Sequence, residues 1–258
     1  MTKVVRTPHE WIDLRQSFDP KSTLGFVPTM GALHEGHSSL AERSLRENEF
    51  TLVSLFVNPT QFNDPKDLKN YPRHEAEDIA LLESLGVDYV LIPSGESMYP
   101  DGFTYRVQES SKSALMEGMH RPGHFDGMLT VVMKLLSLAG ATRAYFGEKD
   151  YQQYLLVRGM AEAFFLRTEI VPCPTFRNER GLALSSRNAL LSEPDRKRAD
   201  LLNQALRNHA STDLARRELE TAGFCVDYVE DYEGRRFVAA RLGGVRLIDN
   251  ISISEIKK

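Results

Sequence analysis

Short, continuously apolar runs recur through the first two-thirds of this chain, each followed by a helical pattern, and that alternation limits the folds open to it. The runs fall at 24–27, 50–58, 89–92, 143–146 and 169–172, and the helical patterns at 36–47, 75–85, 126–139 and 151–165. A strand that is apolar at every position, rather than at alternate ones, is buried on both faces. Helices interposed between such strands make crossover connections, so the rhythm predicts an α/β, Rossmann-like doubly wound parallel sheet. The character changes near 174–188. Beyond it, 193–221 is a charged helical stretch broken near His209-Ala210-Ser211. Alternating segments at 225–231 and 237–241, then Gly243-Gly244 and a last strand at 245–248, complete the chain. A smaller α+β C-terminal domain is expected, with domains at 1–175 and 176–258 and frayed residues at 255–258.

In a doubly wound sheet ligands bind at the carboxyl ends of the strands. Polar residues collect there, at Thr29, Asn58, Gln61 and Lys149. The run at 24–27 is read as stopped by Pro28 and turned by Gly31, after which His34-Glu35-Gly36-His37 opens a helix. Two histidines three apart on a first helical turn share a face. The turn's N–H groups and the helix dipole point where a phosphate could sit, and Gly36 lets a nucleotide lie against the helix start. The strand–turn–helix context is what an H-x-G-H nucleotide site requires.

Three other strings carry chemistry. Phe56-Val57-Asn58-Pro59-Thr60-Gln61-Phe62 sets two carboxamides after a buried strand, suited to hydroxyls or a carboxylate oxygen. Asn-Pro is equally a turn starter, so Asn58 can be read as structural. In Gly147-Glu148-Lys149-Asp150-Tyr151-Gln152-Gln153, Gly147 allows close backbone approach and Lys149 is a point charge suited to phosphate. Asp150 can cap the following helix while accepting from a ribose hydroxyl, and Gln153 lies about one turn in. Gly181-Leu182-Ala183-Leu184-Ser185-Ser186-Arg187-Asn188 is a small-residue loop with one guanidinium, able to clamp phosphate or to serve as a plain surface turn. Arg121-Pro122-Gly123-His124-Phe125 offers a second cationic site for a carboxylate or phosphate, in surroundings that also fit an ordinary loop.

Charge and composition narrow the classes. A net charge of −4 argues against a nucleic-acid surface, which needs a basic stripe. No apolar run approaches a membrane span and the first residues lack a signal-peptide core, so a cytoplasmic location is expected. Cys173 and Cys225, far apart in apolar runs, read as inert buried thiols.

Taken together, Pro-Thr-Met-Gly-Ala-Leu-His-Glu-Gly-His, Phe-Val-Asn-Pro-Thr-Gln-Phe, Gly-Glu-Lys-Asp-Tyr-Gln-Gln, Ser-Ser-Arg-Asn and the closing Arg246-Leu247-Ile248-Asp249-Asn250 closely resemble the pantothenate synthetase (pantoate–β-alanine ligase) family of the H-x-G-H nucleotidylyl-transferases. The resemblance covers nearly the whole chain. It implies a Rossmann-like domain, a small C-terminal lid, a homodimer, and ATP and Mg²⁺ as requirements for joining pantoate to β-alanine through an acyl adenylate. Carried over by position, Met30, Gly31, Ala32, Leu33, His34, Glu35, Gly36 and His37 bind ATP, with His37 the catalytic acid. Gly147, Glu148, Lys149, Asp150, Leu184, Ser185, Ser186 and Arg187 also bind ATP, and Phe176 contacts adenine through its backbone. Gln61 and Gln153 hold pantoate. The residue types agree with that carry-over: His34, His37, Lys149 and Arg187 can stabilise the charge that builds on a five-coordinate phosphorus. Mg²⁺ is expected mostly on ATP phosphates and water, with Asp78 as an indirect partner.

The sequence departs from the family at Leu184, where a Met is usual, at Arg180, where an acidic residue is usual, and at Ala141-Thr142 in place of Pro-Asp. The C-terminal domain also looks short between Tyr232 and Phe237. Two other functions compete: a nucleotidyltransferase whose product keeps the nucleotide, and a non-catalytic nucleotide-binding protein. The first lacks the Asn58/Gln61 and Gln153 set, and the second would have lost a histidine, Lys149 or Arg187.

Overall fold

The computed structural model describes residues 2–257. The chain divides into two compact units, Met1–Gly147 with Gln152–Cys173, and Glu148–Tyr151 with Pro174–Lys258. The first unit is built on a six-stranded sheet of β1 Lys3–Val5, β2 Leu24–Thr29, β3 Phe50–Leu55, β4 Tyr89–Leu91, β5 Arg143–Gly147 and β6 Glu169–Cys173, in the order β1-β4-β3-β2-β5-β6. Every pairing is parallel. Neighbouring residues such as Phe26 and Val27, Leu52 and Val53, or Ala144 and Tyr145 point to opposite faces, and all are buried. Both faces are therefore covered, which explains why the strands are apolar throughout.

Pro28 does not end β2, which continues to Thr29. Successive residues of a strand address opposite neighbours. The Thr29 carbonyl accepts from Phe56 beyond β3, and the Leu24 carbonyl accepts from Thr142 ahead of β5. Pro28 thus faces the β5 side, where pairing has already ended at Phe26, and its missing N–H costs no ladder bond.

Among the elements that the apolar runs do not predict, two lie at the start of the chain. The edge strand β1 is only three residues long, too short to show a pattern. The Pro8–Gln16 helix carries a legible signal, a Thr7/Glu10 capping box with Pro at its first position. Its Trp11 is fully buried and donates its indole N–H to the Leu138 carbonyl.

The second unit packs the Leu201–Asn208 and Thr212–Thr221 helices on an antiparallel sheet of β7 Cys225–Tyr232, β8 Arg235–Leu242 and β9 Val245–Ser252. The segment after Tyr232 is short because Glu233 and Gly234, both at positive φ, close a tight hairpin. The chain end is ordered rather than frayed through residue 257. Ser252 and Glu255 form a capping box, Arg207 pairs with Glu255 at 2.8 Å, and the Lys257 N–H donates to the Arg207 carbonyl. Lys258 lies outside the described residues. Cys173 is buried as expected, but Cys225 is exposed at the start of an edge strand, and neither forms a disulfide.

Candidate active site at the switch point of the sheet

The chain winds from β2 through β3 to β4 on one side, then returns to lay β5 and β6 on the other. The crevice beyond the carboxyl ends of β2 and β5 is thus the topological switch point, where open α/β sheets bind ligands. Residues 30–37 leave β2 there. Gly147 closes β5, and Lys149 follows it by two residues along the chain.

The loop after β2 holds an unusual backbone. Gly31 and Ala32 both have positive φ, 77° and 50°, and for Ala32 that conformation is strained. Asp78, buried on the Glu75–Leu85 helix, compensates: its carboxylate accepts from the Ala32 N–H at 2.8 Å and the Leu33 N–H at 2.7 Å. Both oxygens are thereby engaged with backbone. Asp78 is thus an anchor of the loop. Asp78→Asn keeps one acceptor and turns an N–H toward another N–H, at a cost of roughly 1–3 kcal/mol. The expected outcome is an ATP KM raised about ten-fold. An unchanged ATP KM in steady-state assays would show that the loop holds its shape unaided.

His34 and His37 are joined in a reciprocal cap of the Glu35–Glu47 helix. His34 Nδ1 accepts from the Gly36 N–H at 3.1 Å, and His37 Nδ1 accepts from the His34 N–H at 3.4 Å. The rings stack with centroids 4.0 Å apart. Because Nδ1 accepts in each ring, the neutral imidazole carries its proton on Nε2. The pair is therefore more than two solvated histidines at a helix start: the fold fixes both tautomers and makes each ring a donor through Nε2.

Beyond β3, Asn58 caps the Pro59–Gln61 turn and is fully buried. Its amide donates to Gln61 Oε1 at 3.0 Å and the Gly127 carbonyl at 3.2 Å, while its oxygen accepts from the Tyr99 hydroxyl at 2.7 Å and Thr60 Oγ1 at 3.0 Å. Burial raises the Tyr99 pKa, which keeps that hydroxyl a donor. With its donors and acceptor taken, Asn58 positions Gln61 rather than binding ligand. Gln61 is itself buried, and among the described residues its Nε2 donates only to the Met30 sulfur, at 3.1 Å. A thioether is a weak acceptor, so a carboxylate or hydroxyl would compete well for that amide.

Arg121 and His124 are likewise turned inward. His124 Nδ1 donates to the Gln61 carbonyl at 2.8 Å, its Nε2 meets Arg121 NH1 at 3.0 Å, and Arg121 faces the buried Glu117 at 3.6 Å. The cationic site read from the sequence is an ion-paired brace behind Gln61, its charge balanced within the fold.

On the Tyr151–Ala163 helix the two glutamines divide their work. Gln152 is buried, donates to the carbonyls of Lys112 and Leu115, and accepts from the Glu117 N–H. Gln153 is half-buried and has no side-chain hydrogen bond among the described residues, so it caps nothing. Gln153→Ala should leave the unfolding free energy within about 0.5 kcal/mol of the parent, as surface-like substitutions do. If Gln153 holds pantoate, as the resemblance implies, pantoate KM should rise about ten-fold, the worth of an unmade hydrogen bond to bound ligand. Equal weakening of ATP and pantoate in separate titrations would count against a pantoate-selecting role.

In the second unit, Ser185 accepts from the Arg187 N–H at 3.3 Å and caps the Ser186–Leu190 turn. The Leu184 N–H donates to the Phe176 carbonyl, tying that loop to the 174–177 segment. Arg180 pairs with the buried Asp200 at 2.7 Å, so its departure from the family pattern is compensated locally. Lys149 lies 3.7 Å from Asp150 and is mostly covered. Among the described residues no group of three His, Cys, Asp or Glu side chains could hold a metal ion, and no helix is long and apolar enough to cross a membrane.

Comparison with known proteins gives one consistent picture. Residues 3–252 match the family described as pantoate-beta-alanine ligase. The chain is 51% identical to a pantothenate synthetase of Bdellovibrio bacteriovorus over 98% of this chain and 100% of that protein. It is 52% identical to one from Coxiella burnetii over the full length of both. A Francisella tularensis pantoate-beta-alanine ligase, solved in complex with beta-gamma ATP and beta-alanine, superposes with a TM-score of 0.95 at 40% identity, covering 98% of each chain. The Thermus thermophilus pantothenate synthetase superposes with a TM-score of 0.90 at 42% identity, covering 98% of this chain and 99% of that one.

Proposed function

The chain belongs to the pantoate–β-alanine ligase family and is an ATP-dependent ligase of that class; we propose that it works in two steps through a pantoyl adenylate. In the first, a pantoate carboxylate oxygen attacks the α-phosphorus of ATP, the bond to the β-phosphate oxygen breaks, and pyrophosphate leaves. In the second, the β-alanine nitrogen attacks the acyl carbon, the acyl–phosphate bond breaks, AMP leaves and the amine loses a proton.

The observation that carries this reading is the histidine cap at the switch point. Two neutral Nε2–H donors fixed by the backbone suit charge developing on a phosphoryl group, without a proton having to move. Pyrophosphate bound to Mg²⁺ is already a competent leaving group, so His37 needs only to donate. Met30–His37, Gly147–Asp150, Phe176 and Leu184–Arg187 are assigned to ATP, with Lys149 and Arg187 on its phosphates. Gln61 and Gln153 are assigned to pantoate. Asn58, Arg121, His124 and Asp78 serve as positioning residues. Mg²⁺ is assigned to ATP phosphates and water, as is usual for this ion. When bound it would neutralise phosphate charge. A homodimer in the cytoplasm belongs to the same reading, supported by the family alone.

Supplied with ATP, Mg²⁺ and pantoate but no β-alanine, the protein should exchange labelled pyrophosphate into ATP. Lack of exchange together with β-alanine-dependent ADP release would overturn the adenylate route. Retention of the nucleotide in the product would favour a nucleotidyltransferase instead.

A further inference from the structure

The closing string Arg246-Leu247-Ile248-Asp249-Asn250 has no part in the roles assigned above, yet the structure makes it a polar hub. Asn250 on β9 is fully buried, and its side-chain amide donates to two successive carbonyls, Glu148 and Lys149, each at 2.9 Å. Its Oδ1 accepts from Arg235 Nε at 2.7 Å, and the Arg235 guanidinium lies 4.3 Å from the centre of the Tyr151 ring. The neighbouring Asp249 carboxylate accepts from Arg177 NH1 and NH2 at 2.7 and 2.8 Å, from Asn203 at 3.0 Å and from the Asn250 N–H at 2.7 Å. Arg177 in turn donates to the carbonyls of Gly181 and Asn250. One saturated network thus fixes the Lys149 turn, the start of the 181–187 loop and the residue after Phe176.

We infer that Asn250 is a positioning residue for Lys149, holding the Glu148–Asp150 turn in the conformation that places the lysine. The amide suits the task. Its two N–H donors satisfy two adjacent carbonyls, whereas a carboxylate would set oxygen against oxygen. The assignment also explains why residues 148–151 cluster with the C-terminal unit although both chain neighbours belong to the first. The inference rests on the reading that Lys149 acts on the ATP phosphates.

A double-mutant cycle on the pyrophosphate-exchange rate tests it. Asn250→Ala should slow exchange about ten-fold or more with pantoate binding little changed, since misplacing a catalytic group by about 1 Å can cost up to 10²-fold. In a Lys149→Ala background, Asn250→Ala should cost almost nothing further, because the group it positions is gone. Arg235→Met, which frees the Asn250 oxygen while keeping the long stem, provides a milder variant. Its expected loss is a few-fold with Lys149 present and none without it. An equal loss in both backgrounds, or normal exchange in both single variants at positions 250 and 235, overturns the inference while leaving the Lys149 reading intact. Normal exchange in Lys149→Ala overturns that reading and the inference with it.

Discussion

His37→Ala and Lys149→Ala should each slow adenylation by about 10²–10³-fold, the loss seen when one preorganised donor is removed from developing charge. Pantoate affinity should change far less. His37 also caps its helix by accepting from the His34 N–H, so alanine removes two functions at once. Two further variants separate them. His37→Asn places an acceptor near the Nδ1 position and should recover thermal stability but not rate. His37→Gln reaches toward the Nε2 position with an amide donor and should recover part of the rate. If His37 were an obligatory proton donor, Gln would recover nothing and the rate would follow the titration of the ring. A near-normal single-turnover rate in His37→Ala or Lys149→Ala would contradict the assigned roles outright.

The difference between what the sequence discloses and what it hides follows physical lines. Burial on both faces writes itself into consecutive residues, so β2 to β6 and the four longer helices between them are legible in the sequence pattern, while the short helices Pro65–Asn70, Gly95–Met98 and Glu117–His120 are not. Pro28 misleads because its effect depends on whether a neighbouring strand needs its N–H, and that depends on pairing rather than on residue type. The H-x-G-H turn is legible as a helix start, but the mutual capping of its rings is a matter of tautomer and rotamer.

Polar side chains are harder. Asn58, Arg121 and His124 have the same ligand-binding capacity on paper as Gln61 and Gln153. The structure turns Arg121 and His124 toward each other and the Gln61 carbonyl, and Asn58 toward Gln61 and the Gly127 carbonyl, leaving Gln61 with a weak sulfur acceptor and Gln153 with no side-chain bond among the described residues. Nothing local announces that division. The anchors are similarly remote: Asp78 grips the β2 loop across 46 positions, and Asn250 grips Lys149 across 101. A motif shows which residues meet the ligand more readily than which distant ones hold them in place.

Gly127→Ala should be among the most damaging small changes in the first unit. Gly127 lies in the first turns of the His124–Ala139 helix, where a β-carbon would fall 2.3 Å from the Thr60 carbonyl oxygen and 2.7 Å from the Gln61 nitrogen. Those are backbone atoms, without rotamers to yield. Carbon contacts settle near 3.5–4.0 Å, so the Pro59–Gln61 turn must move by roughly 1 Å. That turn is held to the helix by Asn58 donating to the Gly127 carbonyl and by His124 donating to the Gln61 carbonyl, and both bonds would be strained. Overpacking of this kind costs about 1–3 kcal/mol of stability. Its effect on function should be larger, because displacing Gln61 by that distance can cost about 10²-fold in kcat/KM for pantoate. ATP titrated without pantoate should bind almost as tightly as to the parent. Gly159→Ala is the matching control: that helical position has nothing within 4 Å of an added β-carbon. It should be neutral or gain up to about 1 kcal/mol. If Gly127→Ala behaves like Gly159→Ala, with pantoate kinetics intact, the turn is not what places Gln61 against its substrate.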